Sequence, residues 1–318
     1  MTPVNVAVAV CGLAMSLYAV LGGADFGGGV WDLLATGPRR AQQRAAITAA
    51  IGPVWEANHI WLIFAIVASF TCFPAAYADA STGLYAPLSF ALVGIVFRGA
   101  AFVFRNYATN APLLARTWTI VFGVASLLAP FFLGDALGAL ATGRYAWTSP
   151  FALSVGAFAV TVCAQVAATF ILREVSDAEV RADFRIRAIR ATLAVWVIGA
   201  VPIALAALTE PELFTLLRRP EALAAVVVAL VAGLAVIACV VMARDLAARF
   251  AVALEALAIL GGWFAAQAPE LVPGRFTFAS AAASDAMIVA FLVAAAGGAV
   301  LVIPSLVLLF RIFKAPVR

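Results

Sequence analysis

The sequence predicts an all-α integral membrane protein with about nine transmembrane helices. Three observations carry that prediction. The 318 residues are 65% hydrophobic and 11% charged, with a mean hydropathy of +1.09; soluble domains are about 25% charged. Apolar stretches long enough to cross a bilayer, roughly 20 residues as a helix, follow one another along the whole chain. The basic residues also fall mainly in alternate breaks between these stretches.

The spans read in order as about 3–33, 46–72, 79–104, 117–141, 150–173, 189–208, 221–242, 249–267 and 286–312. The first lacks a basic leader and runs past any plausible cleavage site, so it is read as a retained helix. Gly37, Pro38, Arg39 and Arg40 end it, and Pro74 follows the second span. Arg105 and Pro112 divide the third from the fourth, and Gly143 and Arg144 the fourth from the fifth. The connection 174–188 mixes acids and arginines and reads as a solvated turn. Glu210, Arg244 and Pro269 stand in the later breaks. The whole chain, 1–318, is read as one polytopic membrane domain.

Nine spans put the turns after the first, third, fifth and seventh on the same side as the C-terminus. That side carries 15 Lys and Arg; the other carries Arg144, Arg218, Arg219 and Arg275; Arg98 lies within a span. The bias sets the N-terminus outside and the C-terminus in the cytoplasm. The net charge of +4 is then a topology signal and requires no nucleic-acid partner. No glycine-rich phosphate loop or alternating barrel pattern is present.

Charged groups inside the membrane are costly, about 2.5–3.5 kcal/mol for a central Asp, and usually face a bundle interior. The first span holds Asp25 and Asp32 in a glycine-rich run that includes Gly27, Gly28 and Gly29. The second holds Trp55, Glu56, Asn58, His59 and Trp61, and the third holds Arg98. A rise of about 1.5 Å per residue puts Asp32 about 3 Å, Arg98 about 9 Å, Asp25 about 14 Å, Glu56 about 15 Å and His59 about 20 Å from the cytoplasmic face. Asp25 and Asp32 share a helix face. The order Asp32, Arg98, Asp25, Glu56, His59 outlines a proton path; an Asp25–Arg98 structural pair is the other reading. The glycines allow close helix approach. Asp135 reads as a helix-end group, and Glu255 as a structural acid within reach of Arg249.

Metal chemistry is constrained by the single histidine. Glu56-x-x-His59 resembles half of a di-iron motif, but two such motifs are required. A bis-histidine haem site cannot be built from one histidine. The cysteines Cys11, Cys72, Cys163 and Cys239 form no C-x-x-C and read as small core residues. No metal or other cofactor is assigned to this chain alone.

Three stretches carry a family resemblance. They are Gly23-Ala24-Asp25-Phe26-Gly27-Gly28-Gly29, the run Gly52-Pro53-Val54-Trp55-Glu56-Ala57-Asn58-His59-Ile60-Trp61-Leu62-Ile63, and Phe97-Arg98-Gly99 followed by Phe102. Together they resemble subunit II of the cytochrome bd-type quinol oxidases, most sharply over about 15–107. The resemblance implies two four-helix bundles, about 1–141 and 150–267, plus a peripheral last helix at 286–312. It implies a bacterial inner-membrane complex that reduces oxygen with quinol electrons. Its haem-bearing partner, subunit I, would hold haems b and d, and this chain would not itself be catalytic. Quinol and lipid are expected contacts. In some members subunit II binds a quinone, and a small accessory membrane subunit is an optional partner. The resemblance carries a proton-path role to Asp25 and Glu56. The acid at Glu56 is often Asp in the family, and His59 is not a family position. A proton-coupled transporter and a purely structural scaffold are the competing readings.

Overall fold

The computed structural model describes the backbone of residues 2–108 and 111–313 and, within these, all side chains but those of 51–57, 106 and 309–313. The elements are α1 (Pro3–Leu33), α2 (Arg40–Cys72), α3 (Pro74–Gly83), α4 (Tyr85–Tyr107), α5 (Pro112–Ala141), α6 (Pro150–Ile171), α7 (Ala178–Thr209), α8 (Pro211–Leu217), α9 (Pro220–Val241), α10 (Asp245–Gln267), β1 (Glu270–Val272), β2 (Phe276–Thr277) and α11 (Asp285–Phe313). The fold is all-α apart from one small antiparallel hairpin, β1–β2. Among the described residues, eight helices are long and apolar enough to span a membrane. The end of α2 with α3 makes a ninth candidate, bent by 118°.

Helix starts follow local chemistry. Pro opens α1, α3, α5, α6, α8 and α9, where its missing N–H is not needed and its φ suits the first turn. The Ser149 hydroxyl accepts from Ala152 N at 3.1 Å and caps α6. Asp177 accepts from Glu179 N and Val180 N, both at 2.9 Å, and starts α7 well before the expected 189. The connection predicted as a solvated turn is therefore largely helix. Its polar face is held against the start of α2. Arg39 donates to Asp183 at 2.6 and 2.9 Å, Gln43 donates to Asp183 at 2.8 Å, and Arg187 donates to Gln43 at 2.7 Å.

The third predicted span is divided, because Pro74 begins α3 and the chain restarts at Tyr85 as α4. Tyr145 ties this corner together. Its hydroxyl bonds the Asp79 carboxylate, and the Arg275 guanidinium lies 4.8 Å from its ring. Burial, with Asp79 beside it, pushes the Tyr145 phenol above its ordinary range.

α1 packs against α2, α5 and α6; α5 lies between α4 and α6; α6 also meets α7 and α10; α9 pairs with α10; and α11 rests on α2. One close approach depends on glycine. A Cβ on Gly27 would run into the Cys163 carbonyl of α6, so α1 and α6 touch backbone to backbone there. The core between them collects Val20, Ile47, Phe122, Val166, Leu172, Phe184 and Val236. Large apolar side chains such as Val197, Leu208, Val300 and Leu301 cover the outside, the inverse of a water-facing bundle.

Candidate functional site

α1 carries Asp25 and Asp32 two turns apart on the face that meets α4 and α5. Asp25 is 0% and Arg98 1% exposed. Arg98 reaches across from α4 and donates through Nη2 to Asp25 Oδ1 at 2.5 Å and to the Asp25 carbonyl at 3.1 Å. Its Nε donates to Ser126 Oγ of α5 at 3.1 Å, and Ser126 Oγ donates to the Phe122 carbonyl at 2.7 Å. The guanidinium also lies over the rings of Phe26 and Phe122, at 5.3 and 5.0 Å. Three helices thus meet at one desolvated ion pair.

The α2 residues beside this pair are Asn58 and His59. His59 interacts electrostatically with the Asp25 carboxyl, and the Asn58 amide lies near enough to it to act as a weak side-chain hydrogen-bond partner. Asn58 is fully buried, yet among the described residues neither its amide atoms nor Asp25 Oδ2 makes a full hydrogen bond. The buried hydroxyl of Tyr18, one heptad before Asp25, also has no hydrogen-bond partner among the described residues. Glu56 and Trp55 lie outside the described side chains. Trp61 is half-buried on α2, and Gly28 is buried on α1.

A second group surrounds Asp32 at the α1–α2 end. Arg105 lies 3.4 Å from Asp32 Oδ1 and donates to Thr48 Oγ1 at 3.0 Å. Arg44 donates to the Asp32 carbonyl at 3.1 and 3.2 Å and stands 3.8 Å from Asp32 Oδ2. These residues, with Ala45 and Thr119, line a cleft of about 220 Å³. Asp32 itself is 1% exposed, so it is a built-in member of the cleft floor and not a solvated helix end.

The structure pairs Asp25 with Arg98, the alternative the sequence offered to an ordered path, and sets Asn58 and His59 beside them. It does not make Arg98 the link to Asp32; Arg105 and Arg44 take that place. Composition concealed these two because they stand at helix ends among the topology-setting arginines. The seven-residue spacing from Arg98 to Arg105, matching that from Asp25 to Asp32, was the signal that could have found Arg105. Ser126 and Tyr18 carried no charge to mark them.

Two further acids differ from expectation. Glu255 does not use Arg249. It accepts from Gln165 Nε2 at 2.6 Å, and Gln165 also donates to Thr192 Oγ1 at 3.0 Å. Arg249 instead holds Glu174 at 2.6 Å and the Phe170 carbonyl. Asp135 is 0% exposed and lies inside α5, six residues before its end, so it is not a helix-end group. Neither of its oxygens has a hydrogen-bond partner among the described residues.

A family profile described as cytochrome bd terminal oxidase subunit II matches residues 4–313. The chain belongs to this family. As a subunit II family member it is 36% identical over 118 residues to cytochrome bd ubiquinol oxidase subunit 2 of Bacillus subtilis, covering 37% of this chain and 34% of that one. It is 27% identical over 187 residues to cytochrome bd-I ubiquinol oxidase subunit 2 of Escherichia coli K12, covering 54% and 48%. The matched stretch thus spans between a third and a half of these curated relatives. A chain from the structure of bd oxidase from Geobacillus thermodenitrificans superposes with a TM-score of 0.83 at 21% identity, covering 99% of this chain and 100% of that chain. That likeness shows the fold.

Family membership raises the question of haem. This subunit II chain does not fit one by itself. Its one histidine lies beside Asp25, while Met242 and Met287 stand exposed at the ends of α9 and α11. Among the described residues no group of three or more His, Cys, Asp or Glu comes together as a metal site needs.

Proposed function

We propose that this chain is the non-catalytic subunit II of a quinol-oxidising, oxygen-reducing membrane complex. Its own contribution is a proton path from the cytoplasm. Haems b and d and the oxygen chemistry belong to the partner subunit, and no step at them is assigned to residues of this chain. The Arg-rich turns face the cytoplasm, which puts the Asp32 cleft at the intake side.

One observation carries the proton-path reading. Asp25 and Asp32 are buried on one face of α1, and each has one oxygen hydrogen-bonded by arginine; Asp25 Oδ2 and Asp32 Oδ2 make no full hydrogen bond among the described residues, although the Asn58 amide interacts with the Asp25 carboxyl and Arg44 Nε stands 3.8 Å from Asp32 Oδ2. A purely structural carboxylate would have both oxygens satisfied, because an unpaired buried acceptor is destabilising. The oxygen on each acid that makes no full hydrogen bond is where a proton can rest. The arginines keep their charge and hold each acid in place. Asn58 and His59 extend the polar surroundings from Asp25 towards α2, where Glu56 continues the path.

The test is quinol-driven oxygen consumption by the assembled complex, normalised to haem content. Asp32→Asn and Glu56→Gln are expected to lower turnover while haem content stays the same. Normal turnover with normal proton uptake in both would overturn the path. The three-helix clasp at Arg98 favours a second reading, a structural scaffold for the haem-bearing partner. On that reading the same amides change thermal stability and leave the rate per assembled complex untouched.

A further inference from the structure

Among the described residues, the Phe122 ring is the one that touches arginines of both the Asp32 cleft and the Asp25–Arg98 pair; Phe102 lies over Arg105 alone and Phe26 over Arg98 alone. Phe122 of α5 is 0% exposed. The Arg105 guanidinium, from the cleft group, lies 4.2 Å from its ring centroid. The Arg98 guanidinium, from the inner group, lies 5.0 Å from it. The two arginines are seven residues apart on α4, about 10 Å along the helix axis, as are the two aspartates on α1. A desolvated cation over a ring is attracted by the ring's electron-rich face, so both guanidiniums hold the ring where it is.

The ring has little slack. Phe102 lies 6.1 Å away, centroid to centroid. On the α1 side, a Cβ on Gly29 would run into the Ser126 side chain and come within 3.4 Å of Phe122 Cε1. Glycine at this position is what lets the ring and Ser126 sit against α1. Phenylalanine offers no donor or acceptor, so it cannot relay a proton. Among the described residues, the hydrogen-bond network around Asp32, made by Arg44, Arg105 and Thr48, shares no member with the network around Asp25, made by Arg98 and Ser126.

We infer that Phe122 is the barrier between an outer and an inner proton-holding site, and the residue that sets the rate of passage from the cleft to Asp25. This rests on the proton-path reading above. A proton enters from water in the cleft and rests on Asp32 Oδ2. When the ring tilts, water bridges Asp32 and Asp25, and the proton moves to Asp25 Oδ2. A proton already on the inner acid leaves towards α2. Each arginine keeps its own protons, so one proton enters for each that leaves. When the ring returns, it breaks the water chain and prevents back-flow.

The test is single-turnover proton uptake by the reconstituted complex, followed with a pH dye in unbuffered solution after an oxygen pulse and normalised to haem content. Phe122→Trp is expected to slow uptake by about tenfold, equivalent to ~1.4 kcal/mol of barrier. Phe122→Leu and Phe122→Tyr are expected to speed it, the first by opening space and the second by adding a hydroxyl to the water chain. If Phe122→Trp does not assemble, the Leu and Tyr variants carry the test alone. Asp32→Asn and Asp25→Asn run beside them. Slowed uptake in the aspartate variants with wild-type rates across the Phe122 series overturns the barrier and leaves the path standing. Wild-type uptake in the aspartate variants overturns the path and the barrier with it.

Discussion

Asp25 and Arg98 form an ion pair inside the membrane, and each is buried nearly completely. Removing one partner of such a pair is costly, about 3–5 kcal/mol, because the remaining charge is uncompensated. Arg98→Met should therefore destabilise the protein strongly. The double variant Asp25→Asn with Arg98→Met should lose less than the sum of the single changes. Thermal denaturation of the four proteins in detergent measures the coupling; additive losses would mean that the contact contributes little. The sequence offered the pair as one of two readings, since a lone buried arginine needs an acid nearby, but Arg98 stood at a depth between Asp25 and Asp32 and did not choose between them. The Asp32–Arg105 contact was not legible, because Arg105 sits where topology alone already accounts for an arginine. Ser126 and Phe122 were invisible for a different reason. An uncharged side chain announces nothing until the fold puts it between charges.

At the scale of elements, α1 acts as the hub. It carries both aspartates and approaches α6 closely enough that a Gly27 Cβ would strike the Cys163 carbonyl. Gly27→Ala should cost about 1–3 kcal/mol, the usual range for overpacking, and lower the yield of folded protein. Gly23→Ala is the control. Its nearest neighbour stands 3.7 Å away, and alanine favours the helix by about 1 kcal/mol over glycine. Unfolding midpoints of both variants in detergent check the contrast, and equal losses would refute the close-contact account. Glycine enrichment predicted close packing somewhere along α1. Which glycine bears the contact depends on the rotation of α1 against α6, which no local pattern encodes. The early start of α7 was missed similarly. Its acids and arginines read as loop, yet they form a helix face because Arg39 and Gln43 of the preceding layer bind them.

At the scale of the whole molecule, the Arg-rich turns predict a cytoplasmic side for the Asp32 cleft. In a cysteine-free background, a cysteine at Gly37 should react with a membrane-impermeant thiol reagent only in inverted vesicles. A cysteine at Gly274, in the β1–β2 turn, should react only from the opposite side. Reversed labelling would place the cleft outside and end its role as a cytoplasmic intake. The same orientation leaves the outer corner built by Asp79, Tyr145 and Arg275 on the far side, where it clamps α3 to the hairpin.

Hydropathy and charge bias were sufficient for the all-α membrane class, the approximate spans and their expected orientation. The reason is that the bilayer is a uniform solvent that acts on each segment separately. Asp25 and Arg98 were likewise readable as buried, because a charge within an apolar run stands out against its neighbours, whereas the burial of Asp135 was not. Only the tertiary structure decided which arginine serves which aspartate, where Phe122 falls between them, and which faces of α1, α4 and α5 come together. Those are matters of helix rotation and depth, set by side-chain packing between segments distant in the chain.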